Sequence, residues 1–207
     1  MRLLVVVASS GVGREIVEQG LGHGHEIAAF VHGPPPELAR ERLRVLGGDA
    51  RDRDALARAA AGAEAVLAAF GGPDASCRSK LCSDAMSSVV SAMKLQRVRR
   101  LVALSAAGVG ESRASVPPAQ RLRIATSRRE AYTDLGRMEE VVLFSGLDWT
   151  VVRPAELSDG PLTGLYRVRD NVLPERGRTI SRADVAALML KALSSERYVG
   201  RIIAPAD

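Results

Sequence analysis

Short unbroken apolar runs alternate along this chain with stretches whose apolar residues recur at helical spacing. Arg2–Ala8 (RLLVVVA) is a continuous valine-rich run, which predicts a strand buried on both faces. A Ser/Gly turn follows, and Ile16, Val17 and Leu21 mark a helix over Arg14–Leu21, stopped by Gly20, Gly22 and Gly24. Glu26–Val31 predicts a second strand, and His32-Gly33-Pro34-Pro35-Pro36 forces a turn, because proline fixes φ and lacks an amide donor. Leu43–Leu46 predicts a short third strand ending in Gly47-Gly48-Asp49, followed by an alanine-rich helix over Arg53–Ala61. Ala65–Phe70 is the fourth strand, broken at Gly71-Gly72-Pro73. A long helix over about Lys80–Gln96 leads into the fifth strand, Arg100–Ser105.

The second half is less regular. Gly108–Gln120 reads as a loop, followed by helical sequence to about Phe144, where Ser145-Gly146 ends it. Asp148–Arg153 (DWTVVR) predicts the sixth strand, and Pro154–Gly164 an open loop. Ser181 caps a last helix over Ala183–Leu193, and Arg201–Ala204 reads as an edge strand. Repeated strand–helix alternation predicts an α/β fold: a Rossmann-type doubly wound parallel sheet with helices on both faces. No repeat or interior linker divides residues 1–207, so one domain is expected.

Composition narrows the function classes. Aromatics make up only 3% of residues, so the core must rest on Ala, Val, Leu and Ile. The net charge of +5 comes almost wholly from arginine, without the long basic run or basic–aromatic stripe that nucleic acid requires. No apolar run reaches the roughly 18 residues needed to span a bilayer, and the chain opens directly on a strand without a signal pattern. A soluble, cytoplasmic protein acting on a small molecule is expected, with its oligomeric state left open. Cys77 and Cys82 are five apart, a spacing that fits neither a CxxC redox pair nor a zinc set, so reduced thiols and no metal are expected.

The first strand–turn–helix carries the most specific chemistry. In such turns glycines let backbone amides approach a dinucleotide pyrophosphate, which rests on the positive end of the helix. The loop here reads Val7-Ala8-Ser9-Ser10-Gly11-Val12-Gly13-Arg14. Aligning Gly13 with the last glycine of GxxGxxG puts Val7 and Ser10 on the other two positions. Gly11 and Gly13 still supply flexible backbone, and Ser9 and Ser10 can donate hydroxyls to phosphate. A β-branched Val7 lacks glycine's backbone freedom and would crowd the ligand. The second strand ends in Val31-His32-Gly33 with no carboxylate for the ribose hydroxyls of NAD. Arg14 and His32 could together meet a ribose phosphate, which favours NADP (NADPH), although each also reads as an ordinary surface residue.

The stretches Gly48–Asp52 (GDARD), Ser91–Gly108, Ser145–Val168 and Ile180–Leu193 (ISRADVAALMLKAL) give the chain a resemblance over essentially its whole length. It resembles the atypical short-chain dehydrogenase/reductases, in the NAD(P)H-binding group that contains biliverdin reductase B, or flavin reductase. The resemblance implies that Ser9, Ser10, Gly11, Val12, Gly13 and Arg14 hold the pyrophosphate and that His32 stands where the family carries a ribose-phosphate arginine. It likewise implies that Asp49 and Ala50 contact adenine, with Phe70, Gly71 and Gly72 beside the ribose. Ser105 and Ala106 would lie near the nicotinamide, and Pro154, Ala155, Glu156 and Leu157 would line the far side of that pocket.

Some positions depart from the family. The Tyr-x-x-x-Lys pair of the usual short-chain dehydrogenases is Tyr132 with Gly136 here, the second hydroxyl of the Ser/Thr-Ser tip is Ala106, and the family's histidine aligns with Leu135. Ser105, Tyr132 and Glu156 remain as acid–base candidates, Glu156 because it follows the sixth strand at the edge where ligands bind in open α/β sheets. These features predict an NADPH-dependent reductase delivering hydride to a planar conjugated acceptor such as a flavin, tetrapyrrole or quinone-like metabolite. The alternative is a degenerate scaffold that performs a cofactor-independent cyclisation or dehydration, or senses dinucleotide.

Overall fold

The computed structural model describes residues 1–7, 11–33, 40–70 and 80–207. In chain order its first half comprises β1 (Arg2–Val6), α1 (Gly11–Gly22), β2 (Glu26–His32), β3 (Leu43–Gly48), α2 (Arg53–Ala60) and β4 (Ala65–Ala68). Next come α3 (Leu81–Leu95), β5 (Arg100–Leu104), α4 (Pro118–Ala125), α5 (Arg129–Leu143) and β6 (Asp148–Val152). The chain ends with β7 (Glu156–Ser158), β8 (Arg167–Asp170), β9 (Thr179–Ser181), α6 (Arg182–Leu193) and β10 (Arg201–Ala206). The main sheet has eight strands in the order β3-β2-β1-β4-β5-β6-β10-β8, all parallel except β8.

The order reverses direction between β1 and β4, which makes that gap the switch point of a doubly wound sheet. Leu3–Val6 and Ala65–Ala68 are almost wholly buried because helices cover both faces. α1 packs against α6, whereas α2, α3 and α5 pack together, giving the two helical layers that the alternation predicts. Cap residues set two of the helix starts. Asp52 accepts from the amides of Asp54 and Ala55 to begin α2, and Ser181 accepts from the amide of Asp184 to begin α6.

Four expectations need correction. The loop expected over Gly108–Gln120 contains a 3₁₀ turn at Gly110–Ala114 and the start of α4, whose Pro118 sits at the helix entrance where its missing donor costs nothing. The open loop expected over Pro154–Gly164 contains β7, which pairs in parallel with β9. The edge strand expected at Arg201–Ala204 is interior, because β8 pairs antiparallel along its outer side and takes the edge with Arg167, Arg169 and Asp170. Cys82 is disulfide-bonded rather than a reduced thiol. The predicted breaks at Pro34–Pro36 and Gly71–Pro73 lie outside the described residues.

Two local features govern the sheet's carboxyl edge. Val7 has φ +63° while its amide donates to the Phe30 carbonyl at 2.9 Å, so β-branched valine occupies a left-handed conformation at the end of β1. The segment after β7 is tied to α6 through Asp184, whose carboxylate accepts from the amides of Thr163 (2.9 Å) and Gly164 (2.7 Å) and from the Thr163 hydroxyl (2.8 Å). Burial alone would raise the Asp184 carboxyl, but the donors from Gly164, Thr163 and Ser181 outweigh it and hold it below its usual range.

Val7→Gly is therefore expected to raise stability by about 1 kcal/mol and the melting temperature by about 2–4 °C; calorimetry checks this, and an unchanged or lower value would show the backbone there to be unstrained. The depressed Asp184 carboxyl contributes stability that is complete above its unfolded value near about 4 and is lost as pH falls through the lower folded value. Acid unfolding of Asp184→Asn should accordingly show a shallower loss of stability below about pH 4 than the parent chain.

Candidate ligand crevice at the carboxyl edge of the sheet

In open α/β sheets ligands bind outside the carboxyl ends of the strands, at the switch point. Val7, Gly11, His32, Asp49, Phe70, Ser105, Ala106 and Pro154 all stand at or just past those ends in β1–β6. The topology thus brings the expected site residues to one edge. Ser9, Ser10, Gly71 and Gly72 lie outside the described residues.

Gly11, at φ +56°, opens α1, and Val12 and Gly13 are buried directly behind it. The first turn of α1 holds no acidic side chain, so the positive end of the helix is uncompensated from within, and Arg14 is exposed beside it. His32 ends β2 and pairs in register with Gly48. Asp49 follows, and Arg51 grips both its carboxylate oxygens, with the shortest contact 2.5 Å. That hydrogen-bonded arginine holds the Asp49 carboxyl down at about 2. Ala50 packs against the core and Phe70 is buried beyond β4.

On the other side of the switch point the tips of β5 and β6 are locked together. The Ser105 amide donates to the Val152 carbonyl at 2.7 Å, and the Ala107 amide donates to the Pro154 carbonyl at 2.9 Å. Ser105 is fully buried, and its hydroxyl donates to Glu139 Oε1 at 2.5 Å. Glu139 in turn receives Arg153 at both oxygens, Nε at 2.9 Å and Nη2 at 2.6 Å, with both side chains at most 6% exposed. The Ser105 hydroxyl is therefore committed to a structural carboxylate. Ala106 and Ala155 are buried, and Leu157 packs against the core from β7.

Tyr132 and Glu156 both meet α4, the first through Gln120 and the second through Arg123. Burial pushes the Tyr132 phenol up, against a lowering hydrogen bond with Gln120, and Glu156 adds to the rise. Glu156 is half-exposed and pairs with Arg123 of α4 at 3.2 Å. Among the described residues, a cavity of about 390 Å³ lies at the opposite edge, lined by the amino ends of β1, β2 and β3, and is remote from these groups.

Sequence reasoning missed Glu139, Arg153 and the anchoring role of Asp184. A signal existed for Glu139: it falls on the same face of α5 as buried Leu135, Met138 and Val142, where a charge requires a partner. Glu139→Gln leaves the Arg153 charge buried and half-paired and is expected to cost about 3–5 kcal/mol. Ser105→Ala removes one hydrogen bond and should cost about 1 kcal/mol. Denaturant unfolding of the two variants measures both, and equal losses would contradict this hierarchy.

A family model described as NAD(P)H-binding matches residues 8–196. Solved structures share the fold. A wide-type short-chain dehydrogenase/reductase from Veillonella parvula, in complex with NADP, has a TM-score of 0.84 at 19% identity, covering 100% of this chain and 94% of that one. The oxidoreductase ylbE from Lactococcus lactis has a TM-score of 0.82 at 16% identity, with coverage of 100% and 91%. ChuY, an anaerobillin reductase from Escherichia coli, has a TM-score of 0.79 at 22% identity, with coverage of 100% and 97%. The matched span begins just after β1 and runs through α6, and the chain belongs to the NAD(P)H-binding family.

Proposed function

We propose that this protein is an NADPH-dependent reductase acting on a planar conjugated acceptor such as a flavin, tetrapyrrole or quinone-like metabolite. The observation that carries the reading is the family match over residues 8–196. The residues present fit the dinucleotide: glycine opens α1 at φ +56°, and no acidic side chain in its first turn opposes a diphosphate. When bound, the reduced nicotinamide supplies the hydride. Preference for the phosphorylated form is supported by His32 at the end of β2, by exposed Arg14, and by the engagement of Asp49 with Arg51. The NADP in the Veillonella parvula structure and the reductase activity named for ChuY are in keeping with it.

In this reading the protein mainly binds and orients. The buried tips Ser105–Ala107 and Pro154–Ala155 form an apolar wall, tied to α5 through the Glu139–Arg153 pair. Buried Tyr132 keeps its proton through neutral pH and serves as a hydrogen-bond donor rather than a base. A second reading, dinucleotide sensing without turnover, is favoured by one observation, the commitment of the Ser105 hydroxyl to Glu139.

Fluorescence titration is expected to show NADPH binding at least about tenfold tighter than NADH, and His32→Arg should tighten NADPH by about a further fivefold through a bidentate phosphate contact. No binding at millimolar NADPH would refute the reductase. NADPH binding without oxidation in the presence of flavin would favour the sensor.

A further inference from the structure

A larger cavity, of about 790 Å³, opens between α4, α5 and the 3₁₀ turn that follows β5. Its apolar lining comes from Val109, Ile124 of α4 and Tyr132 of α5, all buried. Arg113 of the 3₁₀ turn and Arg129 and Arg137 of α5 line it too, and all three are exposed. Among the described residues, none of these three guanidiniums makes a hydrogen bond or an ion pair. Glu140 is the single carboxylate residue of the lining, so two positive charges stand in excess. Arg129 and Arg137 are eight residues apart and share one face of α5, about 12 Å from each other along its axis.

Gly136 lies between them, in the middle of α5, where glycine is the poorest helix former after proline. Packing does not require it. Among the described residues, a Cβ there would meet only Val109 Cγ1, at 4.0 Å, which is an ordinary contact. Gly108, which also lines the cavity, is the contrary case: with φ at +106° and Ile124 Cδ1 at 2.5 Å from a Cβ, it admits no side chain. Gly108 thus serves the fold, whereas Gly136 weakens its helix and leaves depth in the cavity floor. A local rule broken without a folding reason points to function.

We propose that this cavity binds an elongated organic dianion. Its apolar body lies over Gly136 against Val109 and Ile124, and its two acid groups meet Arg129 and Arg137, with Arg113 adding charge. A cavity of several hundred Å³ with an apolar lining and a few polar groups suits a small molecule, and guanidinium forks suit acid groups. The inference goes beyond the reductase reading and does not rest on it, so a chain that failed to bind NADPH would leave it standing.

Calorimetric titration with terephthalate, benzoate and neutral terephthalamide tests the site, because the three share one ring and differ in charge. Terephthalate should bind at least about tenfold tighter than benzoate, and terephthalamide should show no binding at millimolar concentration. Arg129→Ala and Arg137→Ala, both exposed changes, should each weaken terephthalate about tenfold. Arg44→Ala, an exposed change on β3, should leave it within about twofold, which separates a local site from net charge. Gly136→Ala should raise the melting temperature by about 2–4 °C, and Gly136→Leu, which fills the floor, should weaken terephthalate at least about tenfold. Terephthalate binding that is absent or no tighter than that of benzoate overturns the site. So does unchanged affinity in both arginine variants, or an equal loss in Arg44→Ala. A lower melting temperature in Gly136→Ala would show that packing requires the glycine and would overturn the reading of the floor.

Discussion

The buried pair Glu139–Arg153 is the constraint on which this half of the molecule depends. Each ion costs several kcal/mol to take out of water, and only bidentate geometry with further hydrogen bonds compensates. Both conditions hold here, because Glu139 also accepts from Ser105 and Arg153 Nη1 also donates toward the Asn171 carbonyl at 3.4 Å. One interaction therefore ties α5 to the tips of β5 and β6 and to the end of β8. It also dictates a residue elsewhere. A Cβ on Gly110 would stand 3.2 Å from Arg153 Nη2, so the left-handed entry to the 3₁₀ turn after β5 suits glycine on both counts.

Where the sequence was legible, the physical signal was local. The interiors of β1, β2, β4 and β5 are unbroken apolar runs because helices cover both faces of the sheet, and the runs disclose that burial directly. β7, β8 and β9 were not legible. Glu156–Ser158, Arg167–Asp170 and Thr179–Ser181 are too short or too charged for any periodicity, and only their partners make them strands. Misreading Arg201–Ala204 as an edge follows from that omission, because nothing in its own residues announces β8.

The crevice divides in the same way. Strand order carries the expected contacts to one edge, and the alternation predicts the parallel doubly wound sheet in which they gather. What each side chain does there depends on partners distant in the chain. Ser105 reads as a free hydroxyl at a strand tip until Glu139, 34 residues away, is seen to take it. Asp184 reads as a first-turn acid complementing the helix dipole, which it is, yet it also fastens Thr163 and Gly164, some twenty residues upstream.

Val7 shows that a motif and its geometry can part company. The turn after β1 keeps the left-handed backbone that a glycine would adopt freely, because the Val7 amide must continue the ladder to Phe30. The strain, about 1–2 kcal/mol, is an intramolecular cost present with or without ligand, so it lowers stability without lowering affinity in proportion. Affinity for an anion at this end of α1 depends instead on the charge directed there. Counting glycines measures how cheaply the backbone bends at Val7; the charge at the amino end of α1, where the first turn holds no acidic side chain, bears on what that end can hold.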